Sequence, residues 1–139
     1  MTTSAKMLKD VVQKDTIYKI IPPEELIFFK SSGHIRPLPL DQKSGFIHTS
    51  LPDQVESILN KFFGSNETMY VVELNKSEIE GQGGAVRIEQ NTPGGNFYPH
   101  IYGLQNIAQS AVTKIFEVSK RGKDTNWRVI ANVSVVTGQ

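Results

Sequence analysis

"AVRIEQNTPGGNFYPHIYG", residues 85–103, carries the pattern that decides the fold. In "AVRIEQ" the apolar Val86 and Ile88 alternate with Arg87 and Glu89, and in "PHIYG" Ile101 alternates with His100 and Tyr102. Successive side chains of a strand point to opposite faces, so both runs read as short strands with one apolar and one polar face. The run "NTPGGN" between them is rich in residues that favour turns. Two strands joined over so short a distance pair antiparallel.

The stretches around this hairpin continue the pattern. Downstream, "AVTKIFEVS" and "WRVIANVSVV" read as a longer strand and a last strand. Upstream, "TMYVVELN" reads as a buried strand leading to a flexible "GQGG", and "TIYKII" as a β-branched strand ended by Pro22 and Pro23. "GFIHTS", residues 45–50, places Phe46, His48 and Ser50 on one face, with Ile47 and Thr49 on the other.

Helices fill the gaps. "LPDQVESILNKFF" sets Val55, Ile58, Leu59 and Phe62 in one stripe that ends at Gly64, with Ser50 or Thr49 as the cap and Pro52 and Asp53 in the first turn. "PPEELIFFKSS" begins with two prolines and two acids and closes at Gly33. "SAKMLKDVVQK" spaces Met7, Leu8, Val11 and Val12 as a short amphipathic N-terminal helix. "HIRPLPLDQKSG", with two prolines and no periodicity, reads as an ordered loop. This order favours an α+β domain with a mainly antiparallel sheet over a doubly wound parallel one.

Composition bounds the function. At 139 residues the chain is expected to form a single domain, 1–139. Its 38% hydrophobic and 21% charged residues are ordinary for a globular protein. Fifteen basic residues against fourteen acidic ones leave a net charge of +1, too little for the phosphate-neutralising footprint of a nucleic-acid binder. The part from Ala111 onward is mildly basic. With no cysteine, thiolate metal sites, disulfides and a cysteine nucleophile are excluded. No signal peptide or membrane-spanning run is evident, so a cytoplasmic location with no membrane partner is expected.

Three strands therefore present His48, Arg87, Glu89, His100 and Tyr102 on their polar faces. If the apolar faces meet one core, these side chains line one cleft. The alternative is ordinary structure: histidines bonded to backbone and a surface Arg87–Glu89 pair. His34, His48 and His100 lack the spacing of the common zinc motifs, so no metal is expected. Ser50 has no nucleophile-elbow sequence around it, and neither glycine-rich run has the strand before and helix after of a phosphate loop.

Taken together, "IYKI", "GFIHTS" followed by "DQV", a helix ending in "FF", "VVEL", "RIE" and "YPHIYG" resemble the domain-of-unknown-function 952 family, from about Ile17 to about Val118. On that resemblance this span is the core, flanked by the N-terminal helix and a basic C-terminal strand extension. The resemblance implies an ADP-ribosyltransferase-like fold: a split, mainly antiparallel sheet with packed helices and a cleft for NAD or another small nucleotide-like ligand. It also implies roles. His48 would hold a ribose, Tyr102 or Tyr98 would stack on nicotinamide, and Glu89, with Glu117 as its positional rival, would stabilise the transferring ribosyl carbon. Arg87 or His100 would pair with pyrophosphate. The catalytic candidates are thus His48 and Glu89, and the cofactor-binding candidates Ser50, Arg87, His100 and Tyr102. The implied activity is ADP-ribosyl transfer or NAD glycohydrolysis; the alternative is a non-catalytic module for a small anion or nucleotide.

Overall fold

The fold was analysed in a computed structural model, which describes residues 15–135. The expected helix at 4–14 lies outside the described residues. Strand β1 (Thr16–Ile21) leads into helix α1 (Pro23–Ser32), followed by β2 (His34–Ile35), α2 (Pro39–Ser44) and β3 (Ile47–His48). A 3₁₀ turn (Pro52–Gln54) continues into α3 (Val55–Phe63). Then come β4 (Thr68–Asn75), α4 (Lys76–Gly81), β5 (Ala85–Gln90), β6 (Phe97–Tyr102) and β7 (Ile107–Ala108). Strands β8 (Val112–Ser119) and β9 (Arg128–Val133) complete the described chain.

All the strand pairings described are antiparallel, as expected. They form a four-stranded sheet in the order β1-β4-β8-β9, a three-stranded sheet β3-β6-β5 and a two-stranded ribbon β2-β7. Sheet alternation builds two cores on the large sheet. Ile17, Ile21, Val72, Leu74 and Ile115 pack on one side with Phe29 of α1, and Ile20, Met69, Val71 and Val118 pack on the other with Leu59 of α3. Burying a side chain such as Leu59 contributes about 1.5–3 kcal/mol. Trp127 joins this second core and donates its indole N–H to Asn60 Oδ1 at 3.0 Å, which ties the basic C-terminal part to α3.

Two expectations are corrected. Residues 34–45 are not a loop: His34 and Ile35 pair with Ala108 and Ile107, and Pro39–Ser44 is helical. Pro39 starts α2 with its φ preset, and the Asp41 carboxylate accepts the Leu38 amide at 2.8 Å. Gly45 ends the helix in the left-handed region (φ 83°) with its amide on Asp41 O. The cap of the next helical segment is likewise neither Ser50 nor Thr49. Ser50 exchanges two backbone hydrogen bonds with Tyr18, so the cap is Leu51, whose amide donates to Gln54 Oε1 at 2.9 Å.

Gln54 also donates to Phe97 O at 2.7 Å, joining this turn to β6. Gln54→Ala is expected to cost about 1 kcal/mol. Urea unfolding checks this: the midpoint should fall while the slope stays constant.

Among the described residues the Tyr18–Ser50 bridge is the one isolated pairing, and it marks the seam where the large sheet meets the three-stranded one. Lys19 adds a second tie across it, donating to His48 O at 3.0 Å. The expected mainly antiparallel α+β architecture is present. Among the described residues no helix is long and apolar enough to cross a membrane.

Candidate functional site

Register brings the two histidines together. His48 pairs directly with His100, and His100 pairs with Arg87, so all three stand in one row across β3-β6-β5. The neighbouring row, Ile47-Ile101-Val86, turns to the core, with Ile47 and Ile101 buried. The period-two reading therefore describes the faces of β3 and β6 and the placement of Val86, while Ile88, read as apolar and core-facing, is exposed.

A cavity of about 580 Å³ opens at the seam. Its walls are mainly apolar, with Leu38, Leu40, Phe46, Ile58 and Phe62 contributing, and Tyr98 and Asn91 line it from the β5-β6 hairpin. Of the residues expected in one cleft, His48 lines it and Arg87, Glu89, His100 and Tyr102 do not; Ser50, a further candidate, also lines it. Phe62 and Leu40 stay about half exposed (51% and 48%) because they border the opening instead of a core.

The residues outside the lining form their own cluster. Glu89 accepts hydrogen bonds from Tyr102 Oη at 2.6 Å and His100 Nδ1 at 2.9 Å, and His100 Nε2 lies 2.7 Å from Asn91 Oδ1. Those hydrogen bonds, first from Tyr102 and then from His100, hold the Glu89 carboxyl below its ordinary range. The same bond raises the Tyr102 phenol. Arg87 lies over the Tyr102 ring at 4.9 Å. His100 is fully buried, with Phe46 stacked on it at 4.1 Å between ring centres. Phe46 also packs 4.7 Å from the His48 ring and 5.3 Å from Tyr102, so it joins this cluster to the cavity, as does Asn91, which lines the cavity and meets His100.

Two cavity residues were not anticipated from the sequence. Lys19 and Asp41 are both buried, and Lys19 Nζ sits 2.6 Å from Asp41 Oδ2. The Asp41 carboxylate has four donors. Oδ2 takes Lys19 and the Leu38 amide, while Oδ1 takes the His48 amide at 2.9 Å and His48 Nδ1 at 2.8 Å. Burial by itself would raise the Asp41 pKa. The His48 hydrogen bond, the Lys19 charge and the further donors outweigh that, and the carboxyl is held at about 2. Burial lowers the Lys19 ammonium, with Asp41 opposing the shift. Tyr18, also at the cavity, is committed elsewhere: its hydroxyl donates to Glu73, and burial with that contact pushes it up to about 12.

Both carried a sequence signal. Lys19 falls in phase with Ile17 and Ile21 along β1, which puts a cation on the core side of an apolar strand. Asp41 stands three residues after Leu38, with Pro39 between them, at the position where an acid closes a helix start.

The model of the family described as "Protein of unknown function (DUF952)" matches residues 20–115. The chain belongs to the DUF952 family. The match runs from β1 into β8 and contains all the cavity-lining residues named here except Tyr18 and Lys19. Among solved structures, the crystal structure of protein CC0527 from Caulobacter crescentus is similar, with 24% identity and a TM-score of 0.63 over 75% of this chain and 86% of that one. A double mutant of the same protein matches at 25% identity with the same TM-score and coverage. Its solution NMR structure gives 24% identity and a TM-score of 0.61 over 75% and 84% of the two chains. No curated protein matches.

Proposed function

We propose that this DUF952 protein binds a nucleotide of the NAD class in the seam cavity, in the manner of an ADP-ribosyltransferase-like fold. The observation that carries the reading is His48. It is half-buried, held at Nδ1 by Asp41, and lines an otherwise largely apolar and aromatic cavity. Ligand sites commonly take this form: an apolar volume of a few hundred cubic ångströms with a few converging polar groups. The split antiparallel sheets and the position of His48 on an early strand support the same reading.

Polarity supports an orientation. Among the described lining residues Lys19 is the one side chain of fixed positive type, and it is bonded to Asp41 and His48 O. A pyrophosphate inside would lack a free cation, so the nicotinamide and its ribose occupy the cavity while the phosphates extend toward solvent. Tyr98 and Phe46 supply ring faces for the nicotinamide, and His48 with Ser50 supplies polar contacts for the sugar.

In the catalytic form of this reading the nitrogen–anomeric carbon bond breaks with its electron pair on nitrogen and releases neutral nicotinamide. The acceptor oxygen bonds to that carbon and loses its proton, and a carboxylate stabilises the positive sugar between the two events. Glu89 is the candidate for that carboxylate. Its engagement with Tyr102 and His100, outside the cavity lining, favours a second reading in which the protein binds the nucleotide without cleaving it.

Thermal shift with NAD, ADP-ribose and nicotinamide riboside tests binding. The melting temperature should climb with concentration for NAD and nicotinamide riboside; no shift at millimolar ligand defeats both readings. Nicotinamide release from NAD separates them. If the catalytic reading holds, Glu89→Gln abolishes release and leaves the thermal shift largely intact, and release that persists in this variant removes Glu89 from the chemistry.

A further inference from the structure

We infer that Asp41 is a positioning residue for His48: it fixes the proton on Nδ1 and leaves Nε2 as a hydrogen-bond acceptor, so that the site selects ligands presenting a hydroxyl or N–H at that point. This deepens the nucleotide reading and rests on it for the ligand, but its structural half stands by itself.

Asp41 Oδ1 receives both the main-chain amide and the ring Nδ1 of His48, which fixes the ring's position and its rotation together. An ionised carboxylate is only an acceptor, so Nδ1 carries the proton and, in the neutral ring, Nε2 carries the lone pair. Among the described residues no group hydrogen-bonds Nε2, and the ring lines the cavity. The His48 side chain is 23% exposed while that of Asp41 is 1% exposed, so the pair has a buried anchor and an accessible end.

Lys19 completes the device. Its ammonium faces the other carboxylate oxygen from β1, so Asp41 is held from both sides and its charge is balanced without the imidazole. A buried carboxylate with one donor would be free to rotate; with four it has one orientation. The recognition rule follows. Nicotinamide riboside, with its free sugar hydroxyls, donates to Nε2, whereas an analogue lacking the hydroxyl at that position leaves a desolvated lone pair unpaired. Such a mismatch discriminates more strongly than a missing methyl group does.

The test is ¹⁵N NMR of the histidine rings of the full chain, free of ligand, at about pH 8, where an ordinary imidazole is neutral. His48 is expected to show a protonated Nδ1 and an unprotonated Nε2. A proton on Nε2, or a ring exchanging evenly between the two forms, overturns the inference. In folded Asp41→Asn, whose amide offers donors as well as an acceptor, the fixed pattern should be lost; an unchanged pattern removes Asp41 as its cause. If that variant does not fold, the wild-type spectrum decides alone. Deoxy analogues of nicotinamide riboside then read the selection: at least one should bind roughly tenfold or more weakly than the parent, and equal affinity for all of them overturns it. Because the ring is read without ligand, a failure of nucleotide binding defeats the functional reading and leaves the tautomer result standing.

Discussion

Asp41→Ala is expected to lower the melting temperature by roughly 10–20 °C, the largest effect of any polar substitution at the site. The variant leaves the buried Lys19 ammonium facing a void and removes the acceptor of two main-chain amides and one imidazole. Breaking a buried ion pair on one side costs about 3–5 kcal/mol, because the surviving charge stays out of water. The direct coupling is separable. Asp41→Asn and Lys19→Met should each destabilise, and the double variant should lose about 1–3 kcal/mol less than the sum of the two. A double variant whose loss equals the sum would mean that the two side chains do not act as a pair.

The same carboxylate sets an acid limit. Its pKa falls from an ordinary 3.8 to about 2 on folding, so the native state holds the proton less tightly than the unfolded chain. The corresponding stabilisation, about 2 kcal/mol, is fully present above about pH 4 and is lost as the pH falls toward 2. Wild-type stability should drop through that window, and Asp41→Asn should show a shallower drop.

His48→Ala is expected to weaken nicotinamide riboside binding roughly 10–100-fold, the loss of one well-placed hydrogen bond to a desolvated group. Its effect on folding should be smaller than that of Asp41→Ala, since the ring is part-exposed and Asp41 keeps three of its four donors. Calorimetric titration measures the first and thermal melting the second. Affinity unchanged in the folded variant would mean that the ligand does not touch His48.

These outcomes depend on features of unequal visibility in the sequence. The row His48-His100-Arg87 was legible because strand alternation is local: each segment shows its own polar face, and register only has to align them. The partition of that face was not legible. Glu89 turns to His100 and Tyr102 within the β5-β6 hairpin, and Phe46 from before β3 packs on those same two rings, an arrangement across segments that no single segment encodes.

Lys19 and Asp41 were missed for a related reason. They are 22 residues apart, and the local signal of each, a lysine on the core side of a strand and an acid at a helix start, does not say that the two meet. Only α2 brings the carboxylate beneath β3, and Pro39, which starts this helix, reads together with Pro37 as a loop signal. The stripe on α3 shows the converse. Leu59 is in the core as its spacing predicts, but Phe62 stays half exposed because a cavity occupies the place where a core would have covered it.

The most direct measurement is a crystal structure of the protein with nicotinamide riboside bound. The account predicts the ligand in the seam cavity, with its ring beside Phe46 and Tyr98 and a sugar hydroxyl about 2.6–3.2 Å from His48 Nε2. A cavity left vacant at saturating ligand, or a ligand bound elsewhere while His48 Nε2 faces water, would contradict it.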